Sequence, residues 1–257
     1  MINFFRKTRK KMADDNKPLK YLRYAIGEIV LVVIGILIAL SINNWNENVK
    51  AHRNQQNNLQ LIKVEMTNNL KAVFEAKKEL NKTMASCRDL INLINTNNNL
   101  KNVEERELSS LIAGLMRDDV QAFLENGAMN QLIASDGLKN IKNDSIRTIL
   151  ASWHSKTSYV RLQEQHIFNS QSRIREYMST NGNMKVLFEE IGISQKYELE
   201  NSLIKQSNTH LLKDKELENN ILILLVTGKS LQEKVYPEFE NEIHSVIGLI
   251  DQELEIN

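Results

Sequence analysis

At 257 residues the chain is long enough for one or two domains with a sizeable core, and 42% hydrophobic with 25% charged residues is an ordinary globular composition. Nine Gly, two Pro and 6% aromatic residues favour long helices over a many-stranded sheet. The net charge of +1 hides an asymmetry: residues 1–23 hold eight basic and two acidic side chains, and the remainder holds 25 basic against 30 acidic. A basic arm on a mildly acidic body argues against a general nucleic-acid binder. Cys87 is the lone cysteine, which excludes an intrachain disulfide and a cysteine metal cluster.

The arm leads into the most apolar stretch. Ten of the twelve residues 29–40, IVLVVIGILIAL, are Ile, Val or Leu. Residues 24–42 make a 19-residue helix of about 28 Å, close to a bilayer core. Glu28 is the lone charge inside it. Ten aliphatic side chains favour insertion by roughly 3–6 kcal/mol, while one acid costs at most about 3 kcal/mol at the centre and less near an end. A transmembrane helix over residues 24–45 is therefore predicted. Tyr21 and Tyr24 at one edge and Trp45 at the other are placed as interfacial anchors. The arm precedes the span and residues 43–48 carry no basic side chain, so the N-terminus is expected in the cytoplasm and the remainder outside. The rival reading is a cleaved signal peptide, since Ala39-Leu40-Ser41 resembles a small-x-small cleavage site. The long basic arm and Trp45 argue for an uncleaved anchor.

Within the span, Gly27, Gly35 and Ala39 fall on one face, and Gly35-x-x-x-Ala39 is a small-xxx-small pair that lets helices approach closely. Glu28 is the intramembrane acid. Its readings, in order, are interfacial use beside Lys20, Arg23 or lipid headgroups, pairing with a partner subunit, and ion or proton handling.

The block YAIGEIVLVVIGILIAL at residues 24–40, followed by Ile42-Asn43-Asn44-Trp45-Asn46-Glu47, is more specific than hydropathy. With the Phe4-Phe5-Arg6-Lys7 start, it closely resembles a family of uncharacterised single-pass proteins from Bacteroidota, classed as a domain of unknown function. Ser41 stands where that family often has Gln, and residues 132–147 resemble a second, looser family segment. The resemblance implies a Gram-negative source, an inner-membrane span and a periplasmic domain. It implies no activity.

After a polar stretch at residues 46–58, Leu59, Met66, Val73, Leu80, Cys87 and Ile94 recur every seven residues, interrupted nearby by Lys63, Asn69 and Lys77. This pattern predicts a core-facing bundle helix, with Cys87 as a small core residue rather than a nucleophile. Residues 95–102 break it. A short amphipathic helix is expected over residues 104–116. Asp118-Asp119 is expected to start another, running through Val120, Phe123 and Leu124 to Asn126-Gly127. A further short helix should cover residues 129–134. Asn143-Asp144 signals the start of a long helix ending at Asn181-Gly182, and residues 184–193 are a small apolar piece. Asp214 should cap a last long helix that Pro237 kinks or breaks. Its ILILLV run at residues 221–226 is too short to span a membrane and is assigned to the core.

No catalytic, cofactor-binding or metal-ligating residue emerges. None of the five histidines sits in a metal-binding spacing; Glu164-Gln-His166 comes nearest, but its members point apart on a helix. Asp118-Asp119 and Glu189-Glu190 read as solvated helix ends, and Trp153-His154 as a packed aromatic beside a surface imidazole. The expected fold class is all-α: a basic arm (1–23), a transmembrane helix (24–45), and an extracytoplasmic up-down helical bundle (46–257). The expected function is a non-enzymatic, membrane-anchored binding, sensing or scaffold module. The alternative is a subunit of an inner-membrane complex. Expected partners are the bilayer and, through the span, a second copy or another membrane protein. Neither nucleic acid nor an identifiable small molecule is expected.

Overall fold

The structure is a computed structural model that describes residues 18–96, 103–117 and 120–255. Most of the basic arm, the Phe4-Phe5-Arg6-Lys7 start, the Asp118-Asp119 doublet and most of the 95–102 break lie outside the described residues, as does the Tyr21 side chain. The chain divides into two compact units, residues 1–56 and 57–257. Among the described residues there is no strand, and the chain is all-α as expected.

Helix α1 (Pro18–Thr96) contributes residues to both units. Pro18 occupies its first position, where a missing N–H costs nothing, and no later proline interrupts it. There follow α2 (Glu105–Leu115), α3 (Gly127–Ala134), a 3-10 turn (Gly137–Asn140), α4 (Asp144–Asn181), α5 (Met184–Glu190) and α6 (Ile193–Lys196). A second 3-10 segment (Asn208–Lys213), α7 (Lys215–Ser230), a π-helical turn (Leu231–Val235) and α8 (Tyr236–Glu255) complete the order.

In the second unit four legs run up, down, up and down. The first is α1 beyond residue 57. The second descends along it: Gly114 lies beside Ser86, Arg117 pairs with Glu79 at 3.3 Å, Glu125 meets Asn69, and Ala128 meets Glu65. The third leg, α4, ascends. The fourth, α7 through α8, descends, with Gly228 beside Met84, Lys77 on Glu240 at 2.6 Å and Lys63 on Asp251 at 2.5 Å.

The heptad line forms the floor of the core. Leu59, Met66, Val73, Leu80 and Cys87 are wholly buried, and burial pushes the Cys87 thiol up to about 12. Trp153 is also buried, stacked on Phe239 at 5.2 Å, while His154 beside it is exposed. The caps read from sequence form as expected. Asn143 Oδ1 accepts from the Ser145 and Ile146 amides, and Asp214 from the Glu216 amide at 2.8 Å.

Three expectations need correction. First, residues 120–126 are not helical, so the second leg is α2, an irregular strap and α3 instead of consecutive helices. The next subsection gives the reason. Second, of the kink or break expected at Pro237, the break does not occur: the last leg continues through it. Proline lacks an N–H and its ring crowds the carbonyl four residues back, and the π turn immediately before it widens the helix enough to continue. Third, only Ile221 and Leu224 of the ILILLV run are fully buried, while Leu222, Ile223 and Val226 face outward with 40%, 44% and 71% of their surface exposed.

Two glycines set the spacing of legs against α1. A methyl group on Gly114 would lie 2.9 Å from Ser86 Cβ, which cannot move without the backbone. On Gly228 it would meet the flexible end of Met84. Gly114→Ala should therefore lower stability by roughly 1–3 kcal/mol, and Gly228→Ala by less, because Met84 can swing aside. Denaturant unfolding of the detergent-solubilised chain measures both; a larger loss at Gly228 would contradict this account of the packing.

Candidate functional site

The residues expected to act in the span all lie on α1. Gly27, Gly35 and Ala39 are exposed, and a methyl group added at Gly27 or Gly35 would meet nothing within 4 Å. The small-residue face is thus open in a single chain. Tyr24 is half-buried, and Trp45 is 69% exposed. Glu28 is half-buried and has an interaction partner.

A second constellation, missed from sequence, lies in the bundle. The strap, described over residues 116–117 and 120–126, carries backbone polar groups that have no helix to satisfy them. Side chains from α1 and α4 do so. Arg175 Nη1 donates to the Met116 carbonyl at 2.9 Å, and Gln171 Nε2 to the Arg117 carbonyl. The Ala122 amide donates to Glu164 Oε1 at 2.9 Å. Asn69 pairs with both backbone groups of Glu125: its Oδ1 accepts from the amide at 2.7 Å and its Nδ2 donates to the carbonyl at 3.0 Å. Glu65 then accepts from the Ala128 and Met129 amides at 2.6 and 3.2 Å, where an anion suits the N-terminus of α3. Between these fixings Val120, Ala122 and Leu124 enter the core and Phe123 points out, 80% exposed.

Asn69, Glu65, Glu164 and Gln171 are each at least nine-tenths buried. The one sequence signal for them was Asn69, a polar residue interrupting the apolar stripe of α1. The other interruptions also have partners: Lys63 and Lys77 hold α8 through Asp251 and Glu240. Burial raises the carboxyls of Glu164 and Glu65 above the ordinary 4.5, and their N–H bonds only partly offset it. Glu164 Oε1 also accepts from the Tyr236 hydroxyl at 2.9 Å, while Oε2 is buried without a hydrogen-bond partner. A cavity of about 180 Å³ adjoins it, lined by Val120, Gln121, Arg161, Gln165 and Phe168 among others.

A similar polar junction ties the loop before α7 to α2. The wholly buried Asn208 accepts from the Asn183 amide at 2.6 Å and donates to the Asn183 carbonyl at 3.2 Å. Its own amide donates to Glu105, as does the Ser207 hydroxyl. Glu189, read as a solvated helix end, accepts from the Ser202 amide.

These arrangements immobilise backbone. Glu164 is buried and His166 exposed, so the pair diverges as its spacing required. Among the described residues no three His, Cys, Asp or Glu side chains are grouped to hold a metal ion.

Fold and site together define an all-α bundle protein with one N-terminal helix long and apolar enough to cross a membrane. The chain belongs to the family of unknown function DUF6090, which matches residues 28–225, from the apolar segment into α7. No curated protein and no solved structure matches it.

Two outcomes follow for the strap. Asn69→Leu leaves the part-buried Glu125 amide and carbonyl unpaired and should cost roughly 1–3 kcal/mol in denaturant unfolding, whereas Gln60→Leu, at an exposed position of the same helix, should cost far less. The second concerns pH. Glu164 binds its proton more tightly folded than unfolded, so its contribution to stability is full below the unfolded carboxylate value and is lost as pH rises through the raised folded value. Glu164→Gln should flatten the decline in stability above about pH 4.5 relative to wild type. Parallel stability–pH curves for the two proteins would contradict the assignment.

Proposed function

We propose that this protein is a membrane-anchored, non-enzymatic module for binding, sensing or scaffolding, with its N-terminus in the cytoplasm and its bundle in the periplasm of a Bacteroidota inner membrane. The observation that carries the reading is α1: one helix holds both the apolar segment and the heptad line at the centre of the bundle core. The basic arm supports the orientation through the positive-inside rule, and the resemblance of the YAIGEIVLVVIGILIAL block supports the source and compartment.

The alternative is a subunit of an inner-membrane complex whose span packs on a partner. The open space at Gly27 and Gly35 favours it, because close helix approach needs such a surface. In that case Glu28 is paired or protonated at the contact.

Alkaline phosphatase fused to the C-terminus should be active, and green fluorescent protein fused there after Sec-dependent export should be dark. The reverse pattern would overturn the orientation, and a mature chain beginning at Ile42 would overturn the anchor. Glu28→Gln should insert and co-purify the same proteins as wild type. Selective loss of one co-purifying membrane protein would favour the complex-subunit reading instead.

A further inference from the structure

We propose that the cavity between α4 and the strap is a binding site for a small aliphatic amino acid, with the ligand's ammonium group on Glu164 and its carboxylate on Arg161. The cavity holds about 180 Å³. That is room for about six waters at ~30 Å³ each, so it takes a ligand of roughly five to nine non-hydrogen atoms rather than a nucleotide or a sugar chain. All its lining residues belong to the second unit, so the site goes beyond the anchoring reading and stands or falls apart from the span.

One stripe of α4 builds the polar wall. Arg161, Glu164, Phe168 and Gln171 recur at intervals of three, four and three residues, which stacks them on one helical face, and Val120 and Gln121 of the strap line the same cavity. Glu164, 4% exposed, forms the base, while the exposed Arg161, Gln121 and Phe168 mark the mouth. Glu164 Oε1 is taken by the Ala122 amide and the Tyr236 hydroxyl, each at 2.9 Å, whereas Oε2 is buried and has no hydrogen-bond partner. A buried carboxylate oxygen left without a donor is costly, and an ionised carboxylate can only accept. The occupant that suits the base therefore brings an N–H donor. Burial alone favours the protonated carboxyl, and an ammonium group beside Oε2 offsets this by favouring the carboxylate.

Charge selects the class of ligand. Among the described residues Arg161 forms no hydrogen bond or ion pair, although its charge acts on Glu164 one turn away. A lone cation entering the cavity meets the Arg161 charge at the mouth, and a lone anion meets Glu164 at the base. A zwitterion satisfies both: its ammonium donates to Oε2, and its carboxylate accepts from the guanidinium, whose paired N–H groups match it. The buried Val120 and the ring of Phe168 supply apolar contact, and Arg175 packs over that ring at 5.2 Å. Arg161 and Glu164 are the only charged residues among the described lining, so a ligand with a third charged group leaves it unpaired. This favours an aliphatic side chain over a charged one.

The test is equilibrium dialysis of the full chain in mild detergent against radiolabelled glycine, alanine, valine and leucine. At least one should be retained at a single saturable site. Lysine and glutamate should bind about tenfold more weakly or worse, and so should the amine and the acid that each keep only one charged group of the retained amino acid. Arg161→Gln should weaken binding about tenfold or more, while Arg173→Gln, which removes an exposed arginine of α4 outside the cavity, should leave it unchanged. Glu164→Gln should abolish binding; because that change also touches the fold, the exposed Arg161 carries the decisive comparison. Retention of none of the four amino acids would overturn the proposal. So would an amine that binds as tightly as its amino acid, or binding that survives Arg161→Gln. None of these readouts depends on membrane insertion, so failure of the anchor leaves the site standing and failure of the site leaves the anchor standing.

Discussion

The bundle depends on hydrogen-bonding a stretch of non-helical backbone inside a helical core. Seven backbone groups between Met116 and Met129 are bonded by five side chains of α1 and α4. The bonds to the Ala122 and Met129 amides are buried and the other five part-buried; leaving one buried group unpaired costs roughly 1–3 kcal/mol, a sizeable share of the roughly 5–15 kcal/mol of a typical domain. The polar interruptions of the α1 stripe are therefore requirements of the fold. Asn69 holds the strap, Lys63 and Lys77 hold α8, and the apolar heptad positions between them supply the burial.

Much of this was legible in the sequence wherever the signal is local. The apolar block of α1, its seven-residue line, and the caps at Asn143 and Asp214 act within a turn or a helix, and they appear as read. The strap was illegible for the opposite reason. Residues 120–126 contain an amphipathic pattern and neither Gly nor Pro, so local propensity favours a helix. What holds them out of a helix comes from Asn69 and Glu164, 56 and 42 residues away. Propensity is a weak prior against a set of well-placed partners, and those partners cannot be paired from one sequence. The ILILLV run failed differently: hydropathy says that a segment is apolar but not which side of it meets the core. Of the span residues, the structure places Gly27, Gly35 and Ala39 on an open surface, and Glu28 has a partner.

The features left facing outward share a character. Gly27, Gly35 and Ala39 of the span and Leu222, Ile223 and Val226 of α7 are all exposed. The buried polar groups Asn69, Glu65, Glu164 and Gln171, by contrast, are spent on the chain's own backbone.

Hydrogen exchange of the full chain, resolved at single amides, tests most directly whether the strap is closed by side chains. The Ala122, Glu125, Ala128 and Met129 amides should exchange as slowly as core amides of α4 in the wild type. In Asn69→Leu, protection should collapse across the strap while α4 retains its own. Fast exchange at those four amides in the wild-type protein would contradict the account.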